Sequence, residues 1–415
     1  MKTKDKNMEK KSSKKVMLVV KVALVICLFV LIIDIFFVLY TKNKQDSKKT
    51  FFESLNSYVL MDQSYYGVGS SNMDDNGYEK ATLYKYDSNY KLLWEKRFKS
   101  KYNSTFYNIV EDGDFLLAVG SYEKTKEENE EKLRTAVLVK YNKDGEVLFK
   151  KDLQILGNSK FVNLLVLDDG YVVVGQSIYA NNVLGNDDSG GAIIIKYDKD
   201  GKEIWRQNTG GNKSGLFNSV IQDGDYLYAV GKDATRYGMI AKYTLDGEKE
   251  KAVSYAKTDT IGFSNIVKFG DQFICVGAKK IKEDDEYDHD IDGLLVAYNS
   301  NLEKTNEVTY KDTKKGLERF NDIIVDKDNL IVVGHEAVVD KENSTSKEYV
   351  YNYRSFILKF DSSLKKKEEI IYKENLDDYF TDIKLVKGKY LVSGYKKYKF
   401  NKYKTFFVHY SRDFK

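Results

Sequence analysis

Short runs of consecutive apolar residues, separated by polar turns, recur along most of the chain. In the clearest copy, three apolar runs occupy residues 161–167, 171–175 and 192–197, and a fourth segment covers residues 203–207. Runs that are apolar at every position are typical of strands that are covered on both faces. The unit therefore predicts a sheet of four antiparallel strands, which we label a to d.

Tight turns are predicted between these strands. Asp169-Gly170 separates strands a and b, and Asp200-Gly201 separates strands c and d. Glycine in such a pair accepts positive φ values, so we expect Gly170 and Gly201 to lie in two-residue hairpin turns. A single sheet of this kind leaves apolar surface uncovered, and stacking several copies would cover it.

Seven copies of the unit share one internal spacing. The glycine that ends strand b is preceded, 14 residues earlier, by a phenylalanine or, in the first copy, by a leucine. The pairs are Leu55/Gly69, Phe106/Gly120, Phe161/Gly175, Phe217/Gly231, Phe263/Gly277, Phe320/Gly334 and Phe380/Gly394. Seven four-stranded units predict an all-β fold, a seven-bladed β-propeller of antiparallel blades.

Strand d carries an aromatic residue only in the first copies, as Trp94, Phe149 and Trp205. The same position holds Lys251, Asn306 and Glu368 in copies four to six, so the motif is degenerate there. The pattern Lys-Tyr-Asp followed by Gly and Trp resembles bacterial membrane-anchored or secreted repeat propellers, including outer-membrane-assembly and quinoprotein-like groups. The resemblance covers residues 50–415 and implies a fold, not an activity. Nothing here matches the cofactor pocket or metal ligands of quinoprotein enzymes.

The charge is distributed unevenly. Residues 1–50 contain 12 basic and 4 acidic residues, whereas residues 51–415 contain 55 and 59. The repeat region is therefore mildly acidic, and no nucleic-acid partner is expected. Cys27 lies in an apolar segment and Cys275 in a predicted strand, so no disulfide between them is expected.

The N-terminal region predicts a membrane anchor. A basic segment, 1–15, precedes an apolar one, 16–40, in which residues 22–40 carry a single charge, Asp34. These 19 residues would span about 29 Å as a helix, enough to cross a bilayer. The basic flank is expected in the cytoplasm, which places the propeller outside the cell membrane, after a tether at 41–50. A cleaved signal peptide is the alternative, although no small-residue cleavage site follows. Asp34 is either a contact to a membrane partner or a tolerated carboxylate near the interface.

The seventh copy ends after strand c and lacks its own strand d. Residues 48–53 are the natural donor of that strand, because pairing them there would close the ring. Most length variation falls between strands b and c, in residues 121–135, 176–190, 278–292, 335–354 and 395–405. In antiparallel blades these loops decorate one face, which is expected to point away from the membrane and to serve recognition.

One small polar residue recurs two positions after the aromatic of strand a. After Ser57 in the first copy, the set comprises Asn108, Asn163, Ser219, Asn265, Asp322 and Asp382. These side chains are candidates for a ligand or cation site at the channel mouth, or for links between neighbouring blades. A hydrolase, the third and least favoured function, would require Asp322 and Asp382 to converge there.

Two loops contain further candidates. A basic aromatic stretch in the seventh copy includes Tyr395, Lys396, Lys397, Tyr398, Lys399 and Tyr403. It suits an anionic polymer, or it is a hairpin kept soluble by its lysines. Asp288, Asp290 and Asp292 match the start of a calcium loop, but position twelve is Asn299, so a solvated acidic loop explains them as well.

These observations favour a non-enzymatic, membrane-anchored extracytoplasmic propeller that acts as a protein-interaction scaffold in the bacterial envelope. The alternative is that its variable face binds a cell-wall glycan or anionic polymer. No cofactor is expected, apart from the calcium ion considered above.

Overall fold

Antiparallel β-strands make up the regular structure of the residues that the computed structural model describes. Those residues are 53–71, 77–125, 132–153, 155, 157–179, 190–209, 215–255, 260–281, 290–311, 317–339, 351–372, 377–399 and 402–414. Within them no helix has the length and hydrophobicity needed to cross a membrane. The predicted anchor, its Asp34 and the tether lie outside the described residues.

Each blade is one antiparallel sheet whose strands follow the order of the chain. Blade 1 comprises β1 (Glu53–Met61), β2 (Ser64–Ser71), β3 (Lys80–Tyr86) and β4 (Leu92–Arg97). Blade 2 comprises β5 (Ser104–Asp112), β6 (Phe115–Thr125), β7 (Lys132–Tyr141) and β8 (Val147–Asp152). Blade 3 comprises β9 (Gly157–Leu167), β10 (Gly170–Tyr179), β11 (Gly190–Asp198) and β12 (Glu203–Thr209). Blade 4 comprises β13 (Leu216–Asp223), β14 (Tyr226–Lys232), β15 (Gly238–Thr244) and β16 (Lys249–Ser254).

The remaining blades repeat the arrangement, with three described strands in the last. Blade 5 comprises β17 (Thr260–Phe269), β18 (Gln272–Ile281), β19 (Asp290–Tyr298) and β20 (Lys304–Tyr310). Blade 6 comprises β21 (Arg319–Asp326), β22 (Asn329–Val339), β23 (Tyr351–Asp361) and β24 (Lys366–Ile371). Blade 7 comprises β25 (Asp378–Val386), β26 (Lys389–Lys399) and β27 (Lys402–Tyr410).

The first strand of each blade lies innermost. β1 contacts β5, β5 contacts β9, and the series continues through β13, β17 and β21 to β25, which returns to β1. The seven sheets therefore close into a ring around a central channel, and the predicted seven-bladed β-propeller is confirmed. Each apolar core cluster joins two neighbouring blades, so no blade buries its faces alone.

A backbone contact explains the fixed spacing between phenylalanine and glycine. In blade 3, Phe161 lies opposite Gly175, and a β-bulge follows immediately in the inner strand. A Cβ on Gly175 would sit 1.9 Å from the carbonyl oxygen of Lys160. The equivalent glycine of every blade meets the same obstacle at 1.9 to 2.2 Å. The glycine is required because the bulge brings two backbones together.

The predicted turn at Gly170 is wrong by one residue. Asp168 and Asp169 form the turn, and Gly170 opens β10 opposite Leu167. A Cβ on Gly170 would lie 2.0 Å from the Tyr197 carbonyl oxygen, so close packing and not φ demands glycine. Gly201 does adopt a positive φ, +74°, as predicted.

Where the variable b–c segments are described, they are paired strands that continue β-strands b and c. In blade 2, β6 and β7 stay in register from Leu116/Tyr141 to Thr125/Lys132. In blade 7, the pairing continues to Lys399/Lys402. The strands are thus longer than predicted, because alternating polar residues extend the ladder beyond the apolar core.

Aromatic residues of strand d close the first three junctions between blades. Trp94 packs on Gly145 in the c–d turn of blade 2, and Trp205 packs on Gly247 in that of blade 4. Phe149 lies against Gly201 in the same way. Glycine is needed in these turns because φ is positive, at +74° to +89°, and because the ring occupies the space of a side chain.

The remaining junctions are filled from the opposite side. At the position of the turn glycine, these blades carry large residues with positive φ: Leu302, Leu364, Phe414 and, in blade 1, Tyr90. Leu302 and Leu364 are only 2% exposed and belong to the core between their own and the preceding blade. The polar residues Lys251, Asn306 and Glu368 are therefore compensated by the next turn, and their junctions are not empty.

The ring closes between blades 7 and 1 without a described shared strand. Glu53, the last residue of the predicted donor, opens β1 of blade 1, and residues 48–52 lie outside the described residues. Side chains hold this junction instead. The Tyr58 hydroxyl donates to the Leu391 carbonyl at 2.7 Å, and Tyr90 stacks on Phe407 with 5.0 Å between ring centroids.

Candidate functional site

The recurring polar residues of strand a form a belt around the channel wall. They follow the bulge at the middle of each inner strand, as Ser57 does within Glu53–Met61, and so lie deeper than the predicted channel mouth. Ser219 Oγ donates to Asn265 Oδ1 at 2.5 Å, and Asn265 Nδ2 donates to Asp322 Oδ1. Each bond joins neighbouring blades, which is the second role that the sequence suggested.

The belt continues through two aspartates to blade 1. Asp322 accepts the backbone N–H of Ile383 at 2.9 Å, across the junction between blades 6 and 7. Asp382 accepts Ser57 Oγ–H at 2.9 Å and the backbone N–H of Tyr58 at 3.2 Å. For Asn108 and Asn163 the described residues provide no such bond, and Asn108 Oδ1 is buried without a partner there.

Asp322 is the electrostatically unusual member of the belt. Burial, and then the nearby charge of Asp382, raise the pKa of Asp322 to about 7. Its Oδ1 also accepts the N–H of Ile323 at 2.8 Å. Lys384 Nζ lies 3.4 Å from Asp382 Oδ2 and offsets part of the negative charge. The two carboxyl groups do approach each other, and protein donors already occupy both oxygens of Asp322 and Oδ2 of Asp382.

In the basic aromatic hairpin of blade 7, the described lysines and tyrosines contact other side chains of the protein. Lys397 Nζ lies 2.7 Å from Asp377 Oδ2, and Lys396 Nζ donates to the Tyr372 hydroxyl at 3.3 Å. Tyr395 stacks on Tyr379 with 4.8 Å between ring centroids. Tyr403 meets Tyr395 edge-on, and the side chains of Tyr398 and Lys399 lie outside the described residues. The lysines that are described are therefore not free for an anionic polymer.

The described end of the acidic stretch of blade 5 is a β-strand, whereas a calcium loop needs a turn there. Asp290 and Asp292 belong to β19 and pair with Ile281 and Lys279 of β18. Asp292 is buried, whereas Asp288 and the side chain of Asp290 lie outside the described residues. Among the residues that are described, no group of three His, Cys, Asp or Glu side chains could hold a metal ion.

Exposed apolar residues mark the outer edge of blades 1 to 3. Strand d is outermost, and a bulge beside the strand c tyrosine turns one residue away from the ladder. This bulged residue is Leu93, Leu148 or Ile204. We call the apolar rim the set Leu92, Leu93, Val147, Leu148 and Ile204, whose exposed fractions lie between 43 and 55%.

Blades 4 to 6 carry polar residues at the bulged position, namely Glu250, Thr305 and Lys367, all exposed. Among the six blades whose strand d is described, the apolar rim is therefore confined to three consecutive ones. A cleft between blades 2 and 3 adjoins it and is lined by Lys151, Gly201 and Arg206 among others. Large apolar side chains that are exposed at the same position of neighbouring blades are candidates for an interaction site.

Sequence reasoning missed the apolar rim, although a signal existed. The residue before each strand d aromatic is apolar in Leu93-Trp94, Leu148-Phe149 and Ile204-Trp205. Both residues look like core positions in a run. Only the bulge, which places one of them outside, separates the exposed residue from the packed one.

Comparison with known proteins finds no relative in sequence and only distant likenesses in structure. No family model matches the chain, and no curated protein matches it in sequence. The β-propeller domain of the Trilobed protease from Pyrococcus furiosus, with an open velcro topology, is 10% identical, with a TM-score of 0.45 over 86% of this chain and 93% of that one. A candidate 6-phosphogluconolactonase from Bacteroides uniformis is 12% identical, with a TM-score of 0.43 over 82% and 94%. The assignment as a propeller rests on the strand order and ring contacts.

Proposed function

We propose that this chain is a non-enzymatic, membrane-anchored extracytoplasmic propeller that acts as a protein-interaction scaffold in the bacterial envelope. The observation that carries the proposal is the apolar rim. Five large apolar side chains are exposed at aligned positions of three consecutive blades, where the next three blades carry charge or hydroxyl groups. A partner protein with an apolar face would remove this surface from water.

The belt supports a role without catalysis. Asp322 and Asp382 are the acids that a hydrolase would use, yet each accepts hydrogen bonds from the adjoining blade. A general acid or base needs an oxygen that can reach a substrate. Here both oxygens of Asp322 and Oδ2 of Asp382 join blades, which favours a function on the surface.

The rim can be tested by giving blades 1 to 3 the residues of blades 4 to 6. In the triple variant Leu93→Glu, Leu148→Thr and Ile204→Lys, we expect partners that co-purify with the full chain from native membranes to be lost. Because these side chains are half-exposed, the free energy of unfolding should change by less than about 1 kcal/mol in total.

A matched control replaces exposed apolar residues elsewhere. Val325 and Leu385 are 36 and 43% exposed on the inner strands of blades 6 and 7. The variant Val325→Thr, Leu385→Thr should retain the same partners. Retention by the rim variant as well would disprove the proposed role of the rim.

Membrane anchoring has its own test. The full chain should remain with the membrane fraction after washing with salt and carbonate, and a cysteine placed at Lys132 should react with a thiol reagent that does not cross membranes. Reaction only after cell lysis would contradict the extracytoplasmic placement. This outcome would leave the apolar rim itself untouched.

A further inference from the structure

A cleft on the b–c face between blades 2 and 3 collects positive charge. Strand β7 contributes Lys132 and Arg134, strand β9 contributes Lys160, and strand β10 contributes Gln176. Among the described residues of the lining, Glu123 is the one carboxylate, and it already accepts the Asn103 side-chain amide at 3.1 Å. The described lining therefore contains three basic side chains and one acid.

These cations have no anionic partner among the described residues. The described ion pairs include none of Lys132, Arg134 and Lys160, although most other half-buried lysines have one. Lys160 is only partly exposed, and burial together with repulsion from Arg134 and Lys232 lowers the pKa of Lys160 to about 8. A half-buried cation next to like charges is unfavourable, and a bound anion would relieve that cost.

Aromatic rings adjoin the cleft. Lys132 Nζ lies 4.5 Å from the centroid of the Tyr102 ring and 5.1 Å from that of Tyr78. Tyr107 lines the neighbouring depression, which shares Arg134 with the cleft, and its ring centroid is 5.8 Å from Lys160 Nζ. All three tyrosines are partly exposed. Lys80 and Lys132 lie over the Tyr78 ring, and Lys101 and Lys132 lie over the Tyr102 ring. Tyr107 has only Lys160 over it and keeps the most ring surface for a flat, partly apolar ligand such as a sugar ring.

The contrast with the basic aromatic hairpin of blade 7 decides between two places for an anionic ligand. Lys397 is paired with Asp377 at 2.7 Å, and Lys396 bonds to Tyr372. In the cleft, Lys160 and Arg134 have no such partners among the described residues. The unpaired cations are the better site, because binding there breaks no existing ion pair.

We propose that the cleft formed by Lys132, Arg134 and Lys160 binds the oxyanion groups, phosphate or carboxylate, of an anionic glycan. The guanidinium and ammonium groups would bind the charged oxygens, and the Tyr107 ring would pack on a sugar ring. The site lies on the b–c face, away from the apolar rim, and neither proposal depends on the other.

The test uses the full chain in detergent and three polymers of known composition. Poly(glycerol phosphate) supplies phosphate, polygalacturonate supplies carboxylate, and dextran is neutral. We expect binding of at least one charged polymer but not of dextran, and weaker binding as salt is added. A higher affinity for one charged polymer would identify the group that is bound. Binding of neither, or equal binding of dextran, would overturn the proposal.

Variants locate the site. Arg134→Gln with Lys160→Gln should lower the affinity for the charged polymer by about tenfold or more, since charge-assisted hydrogen bonds are lost. Lys396→Gln with Lys397→Gln removes the same number of charges from blade 7 and should change the affinity by less than about twofold. An equal loss in both variants would overturn the placement. Thermal unfolding of each variant shows that it is folded, and Arg134→Gln alone changes only an exposed side chain.

A pH series gives a readout that misfolding would not produce. Anion binding favours protonated Lys160, so affinity should fall as pH rises through about 8. Lys160→Arg keeps the charge and should flatten this dependence over the same range. An unchanged pH profile in that variant would remove Lys160 from the site.

Discussion

Two halves of the ring hold their blades together differently. At the junctions from blade 1 to blade 4, an aromatic ring of strand d packs on a turn glycine of the next blade, as Trp205 does on Gly247. At the junctions from blade 4 round to blade 1, a large turn residue such as Leu302 fills the space itself. The belt follows the same division. Its hydrogen bonds cross the second set of junctions, and in the described residues none crosses the first.

The difference shows that one gap can be closed from either side. Losing the strand d aromatic is tolerated where the neighbouring turn supplies Leu302, Leu364 or Phe414. A turn residue with positive φ and a side chain carries some backbone strain, which the buried apolar surface offsets. The strand d residue and the turn residue thus vary together. In the later repeats a large turn residue replaces the strand d aromatic, so the junction remains filled.

The largest effect should come from breaking an aromatic junction. Trp205→Ala should lower the free energy of unfolding by about 3 kcal/mol, measured by urea denaturation, because it leaves a cavity over Gly247. It also removes the hydrogen bond from Trp205 Nε1 to the Leu245 carbonyl, 3.0 Å long.

The Trp205→Ala variant also allows a test of whether a large turn residue can replace the strand d aromatic. Adding Gly247→Leu to Trp205→Ala should recover about 1 kcal/mol, because the leucine would take the role of Leu302. In the wild-type background Gly247→Leu should be destabilising, since its Cβ would lie 2.5 Å from the Trp205 ring. A double variant no more stable than Trp205→Ala would show that the two kinds of junction are not interchangeable.

A smaller loss is expected at a junction of the second kind. Leu302→Ala should cost about 2 kcal/mol, since this side chain is only 2% exposed. Lys251, which aligns with Trp205, only reaches the Asn301 carbonyl at 2.7 Å on the surface. Lys251→Ala should therefore change the free energy of unfolding by less than about 0.5 kcal/mol. If Lys251→Ala cost as much as Leu302→Ala, the claim that Leu302 fills the junction between blades 4 and 5 would be wrong.

The smallest expected effect is a pH dependence of stability that comes from Asp322, in the second half of the ring. Burial and Asp382 raise the pKa of Asp322 to about 7, above its ordinary value in an unfolded chain. At pH values between the two pKa values, the Asp322 carboxyl is therefore protonated in the folded state and ionised in the unfolded state. The stability that Asp322 contributes is then fully present below about pH 4 and is lost as pH rises through about 7. Thermal unfolding between about pH 5 and pH 8 should show this decline.

We assign that decline to Asp322, in the second half of the ring. Asp322→Asn should reduce the difference in melting temperature between the two pH values, whatever its effect at either one. Asn163→Asp, on the half without belt bonds, serves as the comparison at the aligned position. A wild-type slope that survives in Asp322→Asn would place the titrating group elsewhere.

The periodic parts of the fold could be predicted from the sequence. The spacing from Phe161 to Gly175 reflects a backbone contact in every blade, and such a contact leaves a fixed mark on the chain. The turn at Gly170 was misplaced because glycine is also required by close packing against Tyr197, which spacing does not distinguish from a turn. Polar residues alternate through the paired extensions of the b–c segments, and this pattern predicts loops as readily as strands.

The candidate sites were harder to predict because they depend on which groups meet across blades. Nothing local distinguishes Lys397, which is paired with Asp377, from Lys160, which is not. Leu93 and Trp94 are adjacent and apolar, yet a bulge exposes one and packs the other. The belt was visible as a repeat, but its division between two halves of the ring was not.

The seam between blades 7 and 1, across which the described residues share no strand, also bears on how the molecule folds. Six junctions join segments that follow each other along the chain, whereas Ser57 and Asp382 are separated by 325 positions. Loop-closure entropy grows only slowly with length, each doubling costing about 0.6 kcal/mol, so the long span itself is a modest penalty. The separation has a larger effect on the order of folding. Neighbouring blades can assemble one after another, whereas the seam can form only once blades 1 and 7 are both folded. It is then the natural first place for the closed ring to open, as a local fluctuation well below global unfolding.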